Sequence, residues 1–122
     1  MGHAVVHFEI HGQDPVVMHE FYKKVFGWSI DANNPMAYGL VDTNSGGKGI
    51  PGGISTGNGQ RGVTVYIDTD DVRGTLDRAV AAGAETVMEP DVLPGVVELA
   101  TFRDPEGNLI GLTRSLVPAR TA

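Results

Sequence analysis

Hydrophobic and polar positions change period along the chain, and they do so twice in the same order. From His3 to His11 they alternate, so Val6, Phe8 and Ile10 fall on one face of an extended strand and His7, Glu9 and His11 on the other. Asp14 is a good N-cap and Pro15 suits the first helical position, and after them the period becomes helical. Val17, Phe21 and Val25 make an apolar stripe with Met18, Tyr22 and Phe26 beside it, and Gly27 closes the helix. Trp28 to Ile30 starts a strand, with Trp28 expected at a module junction. Met36 to Asp42 and Ile50 to Thr56 are further strands, the latter weakened by Pro51, Gly52 and Gly53. A Gly-rich loop, Asn44 to Gly49, lies between them, and Gly57 to Gly62 reads as a linker.

The order then repeats. Val63, Val65 and Ile67 alternate with Thr64, Tyr66 and Asp68. Thr69 or Asp70 is placed to cap a helix carrying Val72, Leu76, Ala79 and Val80, which Gly83 ends. Glu85 to Glu89, Val96 to Phe102 and Leu109 to Thr113 read as strands, with Pro90 to Gly95 a loop. Ile10 matches Ile67, Gly27 matches Gly83 and Ile54 matches Ile110. This offset of about 56–57 residues signals two copies of one supersecondary unit, βαβββ. Neither copy is large enough to bury both of its faces alone. The expectation is one domain over residues 1–122. Its modules run from about 4 to 57 and from about 62 to 114 by the same repeat.

Composition narrows the partners. The formal net charge of −6 argues against nucleic acid and anionic membranes. No stretch approaches the ~20 apolar residues of a spanning helix, and no signal peptide precedes the first strand. Cytoplasmic residence is the expectation. With no cysteine, disulfides, thiolate nucleophiles and Cys-ligated metals are excluded.

Three local patterns are rejected on context. Gly53-Ile54-Ser55-Thr56-Gly57 has the spacing of a nucleophile elbow, but a loop and a strand follow it and every histidine precedes Ser55. Gly57-Asn58-Gly59-Gln60-Arg61-Gly62 has the dinucleotide spacing but opens a strand rather than a helix. His3, His7 and His11 are a metal ladder only on a helix. On a strand, four residues span ~13 Å, too far for one ion.

The most informative stretch is Phe102-Arg103-Asp104-Pro105-Glu106-Gly107-Asn108 ahead of the apolar Leu109-Ile110-Gly111-Leu112. Pro105 fits the second position of a tight turn. Together with Val6-His7-Phe8-Glu9-Ile10, Asp14-Pro15 and the Phe21-Tyr22, Val25-Phe26-Gly27-Trp28 pattern, this hairpin resembles the vicinal oxygen chelate superfamily. That superfamily includes glyoxalase I, extradiol dioxygenases and bleomycin-resistance proteins. The resemblance runs from Val5 to Thr113. It implies an α+β fold in which two βαβββ modules form a curved mixed sheet around a concave pocket.

Metal-dependent members of the superfamily place four ligand positions on the first and fourth strands of the modules. The resemblance maps them onto His7, Thr64 (or Val63 if the register slips by one), Gly111, and Ser55 or a residue close by. One imidazole, two hydroxyls and a glycine are a poor donor set, so no metal and no cofactor are expected. His7 and Glu9 are the candidate acid/base residues. His7, Tyr38, Ser55, Thr64 and Tyr66 are the candidate ligand contacts. If Val6, Phe8, Ile10, Val63, Val65 and Ile67 lie under the helices, alternation puts His7, Glu9, Thr64 and Tyr66 on the opposite face, with His7 and Thr64 across one cavity.

The first functional expectation is a metal-independent, glyoxalase/bleomycin-resistance-like protein that binds a small organic molecule. A metal-free isomerase or lyase using His7 is the alternative. A metal-dependent lyase or dioxygenase, and an interaction scaffold, follow. A homodimer is expected, because strand edges are left to cover and closed two-fold symmetry is the commonest solution.

Overall fold

The computed structural model describes residues 2–34, 38–43, 47–56 and 61–117. Along them run β1 (Val5–His11), α1 (Pro15–Phe26), β2 (Ser29–Asp31), β3 (Gly39–Asp42), β4 (Gly52–Ser55), β5 (Gly62–Asp68), α2 (Val72–Ala81), β6 (Glu85–Leu93), β7 (Val97–Arg103) and β8 (Leu109–Ser115). The fold is α+β and the βαβββ order occurs twice. Two compact units divide it: Val6–Thr64, and Val65 onward together with the residues up to Val5. Part of the expected third strand (36–37), of the Gly-rich loop (44–46) and of the linker (57–60) lie outside the described residues.

In the first unit the strand order is β2-β3-β4-β1, with β1 parallel to β4 and the other neighbours antiparallel. Asp14 caps α1 by accepting from the Val17 amide at 3.2 Å, and Pro15 opens the helix. Gly27 closes it in the left-handed conformation, its amide bonded to the Lys23 carbonyl at 2.9 Å. The expected apolar stripe is not the packing face. Val17, Phe21 and Val25 are 61%, 53% and 54% exposed, and no residue of α1 is fully buried. The helix instead turns Met18, His19 and Tyr22 inward. Met18 fills the space over Gly12, and His19 Nε2 would sit 2.7 Å from a Cβ at Gly39. Tyr22 stacks on Trp28 at 5.0 Å, and Trp28 meets Phe8 at 5.6 Å. Within its own unit, Trp28 belongs to an aromatic layer with Phe8, Tyr22 and Phe26.

In the second unit the order is β5-β8-β7-β6, again one parallel pair followed by antiparallel ones. Here the helix does bury its stripe. Val72 and Leu76 pack with Ala100 and Leu112, and Ile67 and Phe102 close around them. The cap of α2 is Asp71, the residue after the expected candidates Thr69 and Asp70. Asp71 Oδ1 accepts from the Gly74 amide at 2.9 Å, while the Thr69 hydroxyl accepts from the Asp71 amide at 3.2 Å and sets up the turn before it.

Strand β6 continues through Pro90 to Leu93, where a loop was expected. Two register shifts, between Thr86 and Met88 and between Met88 and Asp91, absorb the irregularity. A proline is tolerated there because β6 is the last strand in the order and has one ladder side free of a neighbour in its unit. Val63 departs from its expected place under a helix: it is 66% exposed.

The hairpin from Phe102 to Leu112 forms as read. Asp104 Oδ1 accepts from the Glu106 and Asn108 amides at 2.9 Å each, and Asn108 Nδ2 donates to Asp104 Oδ2 at 2.9 Å. The hydrogen bonds from Asn108 hold the Asp104 carboxyl below its ordinary range. Gly107 takes φ 91°, a left-handed value at home in glycine.

Candidate functional site

Strand alternation sorts the first unit into two faces. Phe8 lies over Gly52, on the side of Trp28 and α1. His7 and Glu9 project to the other side, and Tyr38 joins them there. The Tyr38 hydroxyl donates to Glu9 Oε2 at 2.8 Å and lies 3.1 Å from His7 Nε2. Glu9 Oε1 is 3.5 Å from His11 Nε2, which in turn is 3.2 Å from the Thr64 hydroxyl. The result is a continuous polar chain, His7–Tyr38–Glu9–His11–Thr64, along one face of β1.

Tyr38 is held at both ends. Its amide donates to Asn34 Oδ1 at 3.0 Å, and Asn34 Nδ2 donates to its carbonyl at 2.7 Å. Its ring and hydroxyl cover Gly53 so closely that any Cβ there would collide with the phenol. Glycine at that position is thus a steric requirement of the site.

The electrostatics follow from burial. His7 is half-buried, and desolvation lowers its pKa below the ordinary imidazole value of 6.5, with the nearby Glu9 charge pulling partly the other way. The neutral imidazole is therefore the favoured form near pH 7. Glu9 is also withdrawn, its side chain 16% exposed. His11 is 7% exposed, and among the described residues its Nδ1 has no hydrogen-bond partner.

The other expected residues are placed differently. Thr64 is 2% exposed, with its hydroxyl on His11, so it supports the chain from within rather than facing His7 across a cavity. Ser55 pairs with His11 at the end of the β1–β4 ladder and is partly buried. Tyr66 belongs to the second unit, where its ring covers Gly111. Glu98 lies opposite Arg114 and pairs with it at 3.0 Å, on the same face of β7 as the buried Ala100. His11 is the residue that sequence reasoning missed. The available signal is its parity with His7 and Glu9 along β1. His3 stands apart, its Nδ1 donating to the Asp68 carbonyl at 2.9 Å.

The ladders narrow the fourth mapped ligand position, expected at Ser55 or a residue close by. Glu9 pairs with Gly53 in the first unit and Tyr66 with Gly111 in the second. The residue equivalent to Gly111 is thus Gly53, not Ser55, because the second copy reaches its last strand two residues later than the sequence offset implies. Both positions are glycines roofed by a tyrosine. The four positions carry His7, Gly53, Thr64 and Gly111: one imidazole, one buried hydroxyl already bonded, and two residues without a side chain. This set does not fit the divalent metal of the metal-dependent members, which needs three or four N/O donors. Among the described residues no cluster of three His, Asp or Glu has metal-holding geometry.

A groove of about 440 Å³ lies on the α1 side, lined by Ile10, Val17, Met18, Tyr22 and Val63 and by Gln13 and Arg61, whose side chains meet at 3.4 Å. Among the described residues, no helix is long and apolar enough to cross a membrane.

The βαβββ order repeated in two units is that of the vicinal oxygen chelate superfamily. The chain belongs to the family of the glyoxalase-like domain, which residues 7–113 match. It is 31% identical over 124 residues to the anthracycline biosynthesis protein DnrV of Streptomyces peucetius, covering 88% of this chain and 45% of that protein. The chain spans about half the length of the curated relatives it matches. Among solved structures, a glyoxalase/bleomycin resistance protein/dioxygenase superfamily member from Vibrio splendidus 12B01 shares the fold. Its TM-score is 0.64 at 16% identity, over 93% of this chain and 100% of that one. The methylmalonyl-CoA epimerase of Streptomyces coelicolor, solved with 2-nitronate-propionyl-CoA, shares it too, with a TM-score of 0.64 at 19% identity over 96% and 98% of the two chains.

Proposed function

We propose that this glyoxalase-like protein binds a small organic molecule at the polar face of β1, without a resident transition metal. The observation that carries the reading is the half-buried His7–Tyr38–Glu9 chain. Three polar groups converge there, the kind of placed polar groups that orient a ligand in a small-molecule site. The donor set at the four mapped positions supports metal independence. The name of the relative DnrV supports a setting in the biosynthesis of small organic molecules. The test pairs two variants in a calorimetric screen against aromatic and carbonyl metabolites. His7→Ala is expected to weaken binding at least tenfold and leave the fold intact. Phe8→Ala is expected to lower stability through lost packing on Trp28 and Gly52. Loss of folding in His7→Ala with unchanged affinity in the refolded fraction overturns the proposal.

The second reading is a metal-free isomerase or lyase with His7 as acid/base. It is favoured by the depressed pKa of His7, which supplies a neutral base near pH 7. Solvent-deuterium incorporation into a bound carbonyl compound, abolished by His7→Ala, distinguishes turnover from binding.

A further inference from the structure

A second concavity lies apart from the polar face of β1. The groove of about 440 Å³ beside α1 is lined by residues of the first unit, and His7, Glu9 and Tyr38 are not among them. Its volume is that of a small-molecule site. Its apolar walls come from three elements: Ile10 from β1, Val17, Met18 and Tyr22 from α1, and Val63 from β5. Val17 and Val63 are largely exposed, so large apolar side chains on a helix and on a strand meet water at one hollow. A ligand with an apolar body gains by covering them.

Charge selects the other end of that ligand. Among the described residues, Arg61 and Asp14 are the Arg, Lys, Asp or Glu side chains that line the groove. Asp14 is already engaged: its Oδ1 accepts from the Val17 amide at 3.2 Å, at the helix end where negative charge is favoured. Arg61 forms no ion pair among the described residues, whereas Arg73 and Arg114 each hold a carboxylate. Arg61 Nη2 donates to Gln13 Oε1 at 3.4 Å, which keeps the guanidinium beside another groove residue. A guanidinium presents a planar fork of donors that fits a carboxylate at two points. His11 also lines the groove, but its ring is buried and its Nε2 lies on the Thr64 hydroxyl, so it is assigned no ligand bond.

We propose that the α1-side groove is a second binding site, for small monocarboxylates with an aliphatic or aryl chain. The carboxylate pairs with Arg61, and the chain lies against Val17, Met18, Tyr22 and Val63. The site is independent of the polar face, because the two share none of the side chains assigned to a ligand. The net charge of −6 works against anions in general, so a preference for an anion here has a local cause. Val17 also belongs to the exposed row of α1, which makes a second copy of the chain the competing occupant.

The experiment titrates the whole protein with octanoate and follows the Met18 methyl group by ¹H–¹³C NMR. Octan-1-ol and octylamine are the neutral and cationic controls. Octanoate is expected to shift that methyl and saturate at one ligand per chain, with both controls roughly tenfold weaker. Arg61→Gln, at an exposed position, is expected to stay folded by thermal melting. It should lower octanoate affinity roughly tenfold at low salt and leave the octan-1-ol titration unchanged. Val63→Asp should weaken both. Octanoate affinity unchanged in Arg61→Gln, octylamine bound as tightly as octanoate, or a Met18 methyl that no probe moves at millimolar concentration overturns the site. Octanoate binding lost in His7→Ala but kept in Arg61→Gln overturns it too, and assigns the ligand to the polar face. So does octanoate affinity that falls as protein concentration rises, which assigns the groove to a second copy.

Discussion

At the residue scale, His7 makes stability depend on pH. Its folded pKa is depressed below 6.5 by desolvation, so between the two values the unfolded chain binds more protons than the folded one. Stability is therefore full above the unfolded value and falls as pH drops through it toward the folded one. Urea midpoints measured across that window are expected to decline with acid in the wild type and to flatten in His7→Gln. Glu9→Gln removes the charge that partly restores the imidazolium, so it should lower the NMR titration midpoint of His7 further. Gly111 is the second residue with a sharp expectation. A Cβ there would run into the ring of Tyr66. Gly111→Ala should cost about 1–3 kcal/mol by overpacking, seen as a lower urea midpoint. A neutral effect would mean that the ring is free to move.

At the element scale, the two helices share a capping pattern but not a packing state. Asp14 and Asp71 each bond an amide three residues on, and replacing either by Ala should cost ~1 kcal/mol. Their stripes respond differently. Leu76 is 1% exposed in the α2 core, so Leu76→Ala should cost about 2–5 kcal/mol. Phe21 is 53% exposed on α1, so Phe21→Ser should change the stability of the isolated chain by no more than ~0.5 kcal/mol. Chemical denaturation of the two variants side by side checks the contrast. A large loss in Phe21→Ser would show that the α1 stripe is covered in solution.

At the scale of the whole molecule, that stripe bears on assembly. Val17, Phe21, Val25 and Phe26 present a row of exposed apolar groups on one helix, a pattern that marks association surfaces. A two-fold homodimer that covers α1 is the expected state, checked by light scattering at tens of micromolar. Phe21→Glu should shift it to monomer, and a monomeric wild type would remove the expectation. The site's chemistry makes a second prediction at this scale. With His7, Gly53, Thr64 and Gly111 at the mapped donor positions, elemental analysis of protein purified without chelator should find well under one transition metal per chain. One equivalent of zinc, nickel or iron that is lost in His7→Ala would contradict it.

The paired βαβββ order, the caps at Asp14 and Gly27, and the Asp104–Asn108 turn were all legible in the sequence. They rest on local physics: periodicity, capping and turn chemistry act within a few residues of themselves. The placement of His7 and Glu9 opposite Phe8 followed as well, since alternation along one strand is local too. Tertiary structure decided the rest. Which stripe of α1 faces its sheet depended on Gly12, Gly39 and Trp28, distant in sequence from the helix positions they admit. The passage of β6 through Pro90 depended on its place at the end of the strand order, which no local pattern encodes. The equivalence of Gly53 with Gly111 came from ladder register, because two connections of unequal length shift a sequence offset without shifting the pairing. The joining of His7, Tyr38, Glu9, His11 and Thr64 into one chain came the same way. A side chain's partner across a sheet is set by which backbones pair, and that is fixed only when the whole unit has folded.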